Sequence, residues 1–177
     1  MINKMLSMIK RPSTINQRFK TLVMNDPLTG LPNQRALVAT LDQELARSER
    51  YHHSCSILYL DLNDFKNVND VYGHFIGDAI LQEFAGLIRP LLRQPDTFGR
   101  WGGEEFLIIL PETGGEEAQV VAERIRATLA GHSFSRVEGL HLSCSIGIAI
   151  YPTTALLREQ LITAADRNMY VAKQQVH

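Results

Sequence analysis

The 177 residues, 45% of them hydrophobic, suit one compact domain with its own core and argue against intrinsic disorder. With 18 basic and 19 acidic side chains the formal net charge is −1, which excludes the broad cationic field that a nucleic-acid polymer requires but leaves room for a small charged ligand. Cys55 and Cys144 both lie in apolar runs, as reduced buried thiols in the cytoplasm would, and neither a signal-peptide pattern nor the roughly 18 apolar residues of a membrane span is present.

Residues 1–24 read as a lead-in to a domain over 25–177. Ile2, Met5, Leu6 and Ile9 recur at helical spacing with Lys4 and Lys10 opposite, until Pro12 interrupts and Ser13 caps a second helix running toward Val23. Two lysines make a weak basic face, so a stalk or packing helix is preferred to a helix lying on a membrane surface.

From Asn33 the pattern becomes regular. A helix with Ala36, Leu37, Leu41 and Leu45 on one stripe precedes the strand SCSILYLD, a polar turn and the helix IGDAILQEFAGLIRPLL. Hairpin strands around Trp101 follow, then a helix over EEAQVVAERIRATLA, a strand HLSCSIGIAIY and a last helix through LITAADRNMYVAK. After the first helix the order is βαββαβ plus a closing helix. This predicts an α+β fold, a ferredoxin-like sandwich whose central antiparallel sheet is flanked by helices, with the first strand and the hairpin as neighbours.

The hairpin contains RWGGEEF, Arg100 to Phe106, in which two glycines and two carboxylates abut the apolar run FLIIL. A Gly-Gly turn with solvated glutamates accounts for it without any function. The chemical alternative starts from Asp61, which ends the first strand where the hairpin can present Glu104. Two carboxylates facing one spot repel each other unless a cation sits between them, and Mg²⁺ takes one or two protein carboxylates together with substrate phosphates. Gly102 and Gly103 then let the backbone bend at positive φ and let a phosphate approach closely.

The stretch DLNDFKNVNDVYGHFIGD, together with RWGGEEF, NDPLTGLPNQR, LSCSIGIA and ADRNMYVAK, closely resembles the GGDEF family, the diguanylate cyclase domain, in its GGEEF form. The resemblance runs from about residue 25 to about residue 173, with the motifs in the family's order. It implies a palm-type core and a bacterial signalling enzyme that joins two GTP molecules into cyclic di-GMP with loss of two pyrophosphates, using Mg²⁺ or Mn²⁺. Asp61, the Leu62 carbonyl and Glu104 are the implied metal ligands; Glu104 is also the implied base for the attacking 3′-hydroxyl, and Glu105 a support behind the metal. Lys66, the backbone N–H groups of Asp64 and Phe65, and Lys173 are the implied phosphate contacts. Asp78 matches the guanine-binding aspartate and Asn69 its amide partner. Asp78 also suits a helix N-cap, and His74 either lines the same pocket or packs in the turn.

In the same resemblance RQPD matches the inhibitory product site, with Arg93 and Asp96 reading guanine and phosphate and Arg124 joining from its own or a second subunit. Without the family, Arg93 and Asp96 read as a helix-ending arginine and a turn aspartate. Twofold symmetry of the product implies a homodimer, and a sensor or receiver domain is expected to be attached. Two departures stand out: Asn63 where aspartate is commoner, and QQVH where glycine and arginine usually follow the lysine. The rival expectations are a non-catalytic receptor for GTP or cyclic di-GMP and a different palm-type nucleotidyl cyclase. Intact GGEEF favours the diguanylate cyclase.

Overall fold

The computed structural model describes residues 24–175, so the lead-in helix expected over 1–24 lies outside the described residues apart from Met24. Helix α1, Gln34–Tyr51, starts where the Asn33 side chain accepts a hydrogen bond from the Ala36 N–H at 3.1 Å. Its apolar stripe buries Leu37 and Leu41.

Strand β1, Cys55–Leu62, follows and is buried along its whole length. That burial explains its unbroken apolar reading: β1 is an inner strand of the antiparallel order β2-β3-β1-β4, covered on both faces. The two thiols are buried, Cys55 in β1 and Cys144 in β4, and desolvation pushes each up to about 12. Among the described residues no helix is long and apolar enough to cross a membrane.

The polar turn expected after β1 is instead a helix. Helix α2, Phe65–Tyr72, turns Phe65 and Val68 into the core, and Gly73 at φ 82 reverses the chain directly into α3, His74–Ile88. Only these two inward positions mark α2 as helical, and its remaining residues are polar or exposed. Asp78 therefore lies within α3, whose N-cap is Gly73, and the N-cap reading of Asp78 is set aside. A 3-10 turn at Arg89–Leu91 carries Pro90 and ends the helix.

Strands β2, Thr97–Gly102, and β3, Glu105–Pro111, form the hairpin. Helix α4, Gly115–Ala130, leads back to β4, Cys144–Tyr151, and α5, Arg158–Gln174, closes the chain. The period-2 alternation of β1 sorts the core into two layers. Leu58, Leu60 and Leu62 meet Ile80, Phe84, Phe106 and Ile125 on one face, while Ile57 and Tyr59 meet Leu41, Leu161, Ala165 and Met169 on the other. Asp61 falls on the second face, which α5 covers.

Candidate active site

Register decides which carboxylate faces Asp61. Asp61 of β1 pairs with Glu105 of β3 and with Ser145 of β4, so Glu105 stands directly beside it. Glu104, expected to face the same spot as Asp61, sits in the turn one residue before Glu105, half-buried, with its carbonyl accepting from the Leu62 N–H at 3.4 Å and its charge acting on Asp61. The β1–β3 ladder that sets this pairing is regular from Cys55–Pro111 to Asp61–Glu105, while an irregularity at Trp101 shifts the β2–β3 register on the other side of β3. Of the two glycines, Gly103 takes the positive φ, 52°; Gly102 does not, so a left-handed backbone is required at the first alone.

The Tyr59 hydroxyl lies on the same face as Glu105 and favours its charged form, and Tyr59 meets Trp101 edge to face with centroids 6.1 Å apart. Desolvation raises the Glu105 carboxyl above its ordinary value, against the lowering effect of that hydroxyl, and the charges of Asp61, Asp166 and Glu104 add to the rise.

Helix α5 supplies the cation. Leu161, Ala165 and Met169 recur every four residues on its buried stripe, and the next step is Lys173. Because α5 runs back along β4 toward the Asp61 end, that lysine reaches past the sheet, and its Nζ lies 2.5 Å from Asp61 Oδ1. Desolvation still leaves the Asp61 carboxyl raised, with Lys173 opposing and Glu104 and Asp166 reinforcing the shift. Asp166 is the acidic residue that the sequence reading missed. Its position seven residues before Lys173 on the same helix, two turns away, was the available signal.

The donor chemistry fits Mg²⁺. Asp61 and Glu105, two carboxylates at raised proton affinity, stand with the Glu104 carboxylate beside a strand-end carbonyl, a hard, oxygen-only set whose repulsion a divalent cation relieves. Among the described residues no three acidic, His or Cys side chains stand close enough to hold a metal unaided.

Beside Asp61 the chain enters α2. Asp64 is its N-cap, at φ 57, and makes no side-chain capping bond, so the first N–H groups of the helix are left for a ligand. Lys66 is exposed there, whereas the Phe65 ring is buried in the core and only its backbone can take part. Asn69 lies near the end of α2, packed against Gly77 of α3, the residue before Asp78, and His74 is exposed at the elbow between the helices.

A second connection was not foreseen. Arg100 donates from Nε to the Gly103 carbonyl at 2.9 Å and from one terminal nitrogen to both Asp26 oxygens at 3.2 Å. This ties the GGEEF turn to the DPLTG segment, 74 residues upstream. Burial raises the Asp26 carboxyl, but hydrogen bonds from Thr29 and the charge of Arg100 outweigh it and hold the group below its ordinary value.

Arg93 and Asp96 also meet. The Arg93 side chain bonds Asp96 Oδ1 at 3.1 Å and Thr113 Oγ1 at 2.7 Å, and the Asp96 carboxylate is fully covered while the Arg93 side chain is 55% exposed. Arg124 reaches the same surface from within the chain, donating to the Leu91 carbonyl at 2.6 Å.

Residues 23–177 match the family described as "Diguanylate cyclase, GGDEF domain". The diguanylate cyclase DgcP of Pseudomonas aeruginosa is 42% identical over 159 residues, a match covering 89% of this chain and 23% of DgcP. The chain thus spans less than a quarter of that relative's length. Diguanylate cyclase SiaD of P. aeruginosa, solved in complex with its activator SiaC, is similar at TM-score 0.83 and 36% identity, over 98% of this chain and 65% of SiaD. The GGDEF domain of DgcB from Caulobacter crescentus, solved in complex with c-di-GMP, is similar at TM-score 0.79 and 25% identity, over 94% of each chain. Since the match runs through the whole described domain, and the sheet it covers is the one that sets the GGEEF turn beside Asp61, the chain belongs to the GGDEF domain family.

Proposed function

We propose that this domain is a diguanylate cyclase, condensing two GTP molecules into cyclic di-GMP with release of two pyrophosphates. The observation that carries the reading is the gathering of Asp61, Glu104 and Glu105 at one sheet end, against Lys173 and beside the open N-terminus of α2. Asp61, Glu104 and the Leu62 carbonyl would hold Mg²⁺, which would supply positive charge to neutralise the reacting phosphate. Lys66 and the N–H groups of Asp64 and Phe65 bind the terminal phosphates, and Lys173 adds a second positive charge to them. Glu104 is also the group we assign to take the proton of the attacking 3′-hydroxyl. Asp78 accepts from the N1–H and exocyclic amine of guanine, a donor pair that adenine lacks, with Asn69 and His74 beside it.

Each domain holds one such site, so two must face each other to bring each 3′-hydroxyl to the opposite α-phosphate. Purified protein incubated with GTP and Mg²⁺ should yield cyclic di-GMP by chromatography, and ATP should yield no cyclic dinucleotide. A receptor would bind GTP and convert nothing, and another type of cyclase would release a different product. Turnover per molecule is expected to rise with protein concentration. A rate strictly first order in enzyme, in protein shown by sedimentation to be monomeric throughout, would contradict the paired arrangement.

Cyclic di-GMP is also the ligand we assign to Arg93, Asp96 and Arg124. Arg93 retains exposed donors for phosphate or for guanine O6 and N7, and Asp96 complements the N1–H and amine once Arg93 turns outward. Product bound on this surface favours domain arrangements in which catalytic faces stand apart, so inhibition is non-competitive with GTP. Arg93→Ala should lose inhibition by added cyclic di-GMP while retaining GTP turnover. Inhibition as strong as the parent's would reduce RQPD to a structural turn.

A further inference from the structure

Gly77 is a glycine whose backbone does not require one. It lies in the first turns of α3, outside the left-handed region, with its N–H donating to the Gly73 carbonyl at 3.2 Å. Alanine there would favour the helix by about 1 kcal/mol. What excludes alanine is space. A Cβ built on Gly77 would lie 1.9 Å from Asn69 Oδ1, 3.0 Å from Asn69 Cγ and 3.2 Å from the tip of the Phe65 ring. The Asn69 amide therefore occupies the hollow left by the missing side chain.

The elbow fixes this arrangement from both sides. Gly73 donates to the Asn69 carbonyl at 2.8 Å, which ends α2, and α3 starts at once, so Gly77 of the second helix folds back onto Asn69 of the first. Phe65 is anchored in the core beneath and cannot retreat. The residue after Gly77 is Asp78. The close approach that seats the Asn69 amide therefore fixes it against Gly77 of α3, one residue from Asp78 along the chain.

We infer that Gly77 is a specificity-determining positioning residue: by leaving room for the Asn69 amide, it aligns that amide with Asp78 to read the guanine edge. The inference rests on the proposed guanine site. With Asp78 accepting from guanine N1–H and one amine hydrogen, the Asn69 oxygen is the acceptor for the second amine hydrogen, and it is the atom a Cβ would strike first. Inosine lacks that amine and both of its hydrogens, so the affinity for a nucleotide carrying hypoxanthine does not depend on the Asn69 acceptor.

The test is equilibrium binding of 3′-deoxy-GTP and 3′-deoxy-ITP, which lack the attacking hydroxyl and cannot cyclise, to the parent, Gly77→Ala, Asn69→Ala and the double variant. Gly77→Ala should weaken 3′-deoxy-GTP roughly tenfold, the scale of one lost hydrogen bond, and leave 3′-deoxy-ITP within about twofold, so that the preference for guanine falls by about that factor and the part due to Asp78 remains. Asn69→Ala should do the same. Adding Gly77→Ala to Asn69→Ala should change little, because the truncated side chain vacates the hollow.

If Asn69→Ala keeps the parent's affinities for both nucleotides, the guanine-site reading fails. If Asn69→Ala loses that part of the preference while folded Gly77→Ala keeps it, the reading stands and the inference about Gly77 is overturned. A purely architectural glycine would weaken both nucleotides equally and do so in either background. Should Gly77→Ala not fold, the double variant decides: recovery of its thermal transition supports the clash with Asn69, and failure to recover overturns it.

Discussion

Glu104→Gln is expected to lower cyclic di-GMP formation by about three orders of magnitude, the scale of removing one preorganised electrostatic partner from a developing phosphate charge. The fold should survive. Glutamine preserves the volume, and the backbone bond from Leu62 to the Glu104 carbonyl is independent of the side chain. Glu104 is moreover one of the charges that push the Asp61 carboxyl above its ordinary value, after desolvation and against Lys173. Removing it relieves like-charge repulsion in the metal-free protein, so its thermal transition should stay level or rise slightly. The two effects have opposite signs for one reason: the turn carries a charge that the folded chain alone would be better without, and that only a cation makes useful. Melting curves with and without Mg²⁺ and nucleotide, beside product chromatography, separate them. Product at the parental rate would remove Glu104 from the metal set.

The strands were legible as short unbroken apolar runs bounded by turn residues, and their order from the βαββαβ succession, which leaves few alternatives for a sheet whose inner strand is β1. Lys173 was legible in principle as well, being the fourth member of the series Leu161, Ala165, Met169. What escaped was set by contacts between distant segments. Helix α2 has only Phe65 and Val68 facing inward, too few to separate a helix from a turn. That Glu105 faces Asp61 is set by the register between β1 and β3, strands more than forty residues apart that neither local sequence aligns. The Arg100–Asp26 pair joins segments that nothing in either local sequence relates. Asn63 illustrates the same limit: where aspartate is commoner, its amide donates to Ser143 Oγ and accepts from Ser145 Oγ, both at 2.8 Å. Its substitution for aspartate therefore has a structural partner on β4 and does not touch the proposed metal set.

The largest expected loss of stability comes from Gly147→Ala in the SIGIA segment of β4. A Cβ at Gly147 would lie 2.0 Å from the Ala165 carbonyl oxygen, 2.2 Å from the Met169 nitrogen and 2.8 Å from the Met169 Cα. All three are backbone atoms of α5, so no rotamer change can relieve the clash; the helix itself must move off the sheet. Overpacking of that kind costs roughly 3 kcal/mol, which for a domain of this size lowers the melting temperature by roughly 6–12 °C. Gly102→Ala is the matched control for stability, since a Cβ there meets nothing within 4 Å and the backbone is not left-handed. The consequence reaches the site, because the displaced helix is the one that brings Lys173 to within 2.5 Å of Asp61 and carries Asp166 beside it. Gly147→Ala should therefore lose GTP turnover even at temperatures where circular dichroism reports it fully folded, which a loss of stability alone does not produce. A melting temperature within about 1 °C of the parent's would mean that α5 has slack against β4. The position of Lys173 would then be set by something other than the bare backbone of Gly147.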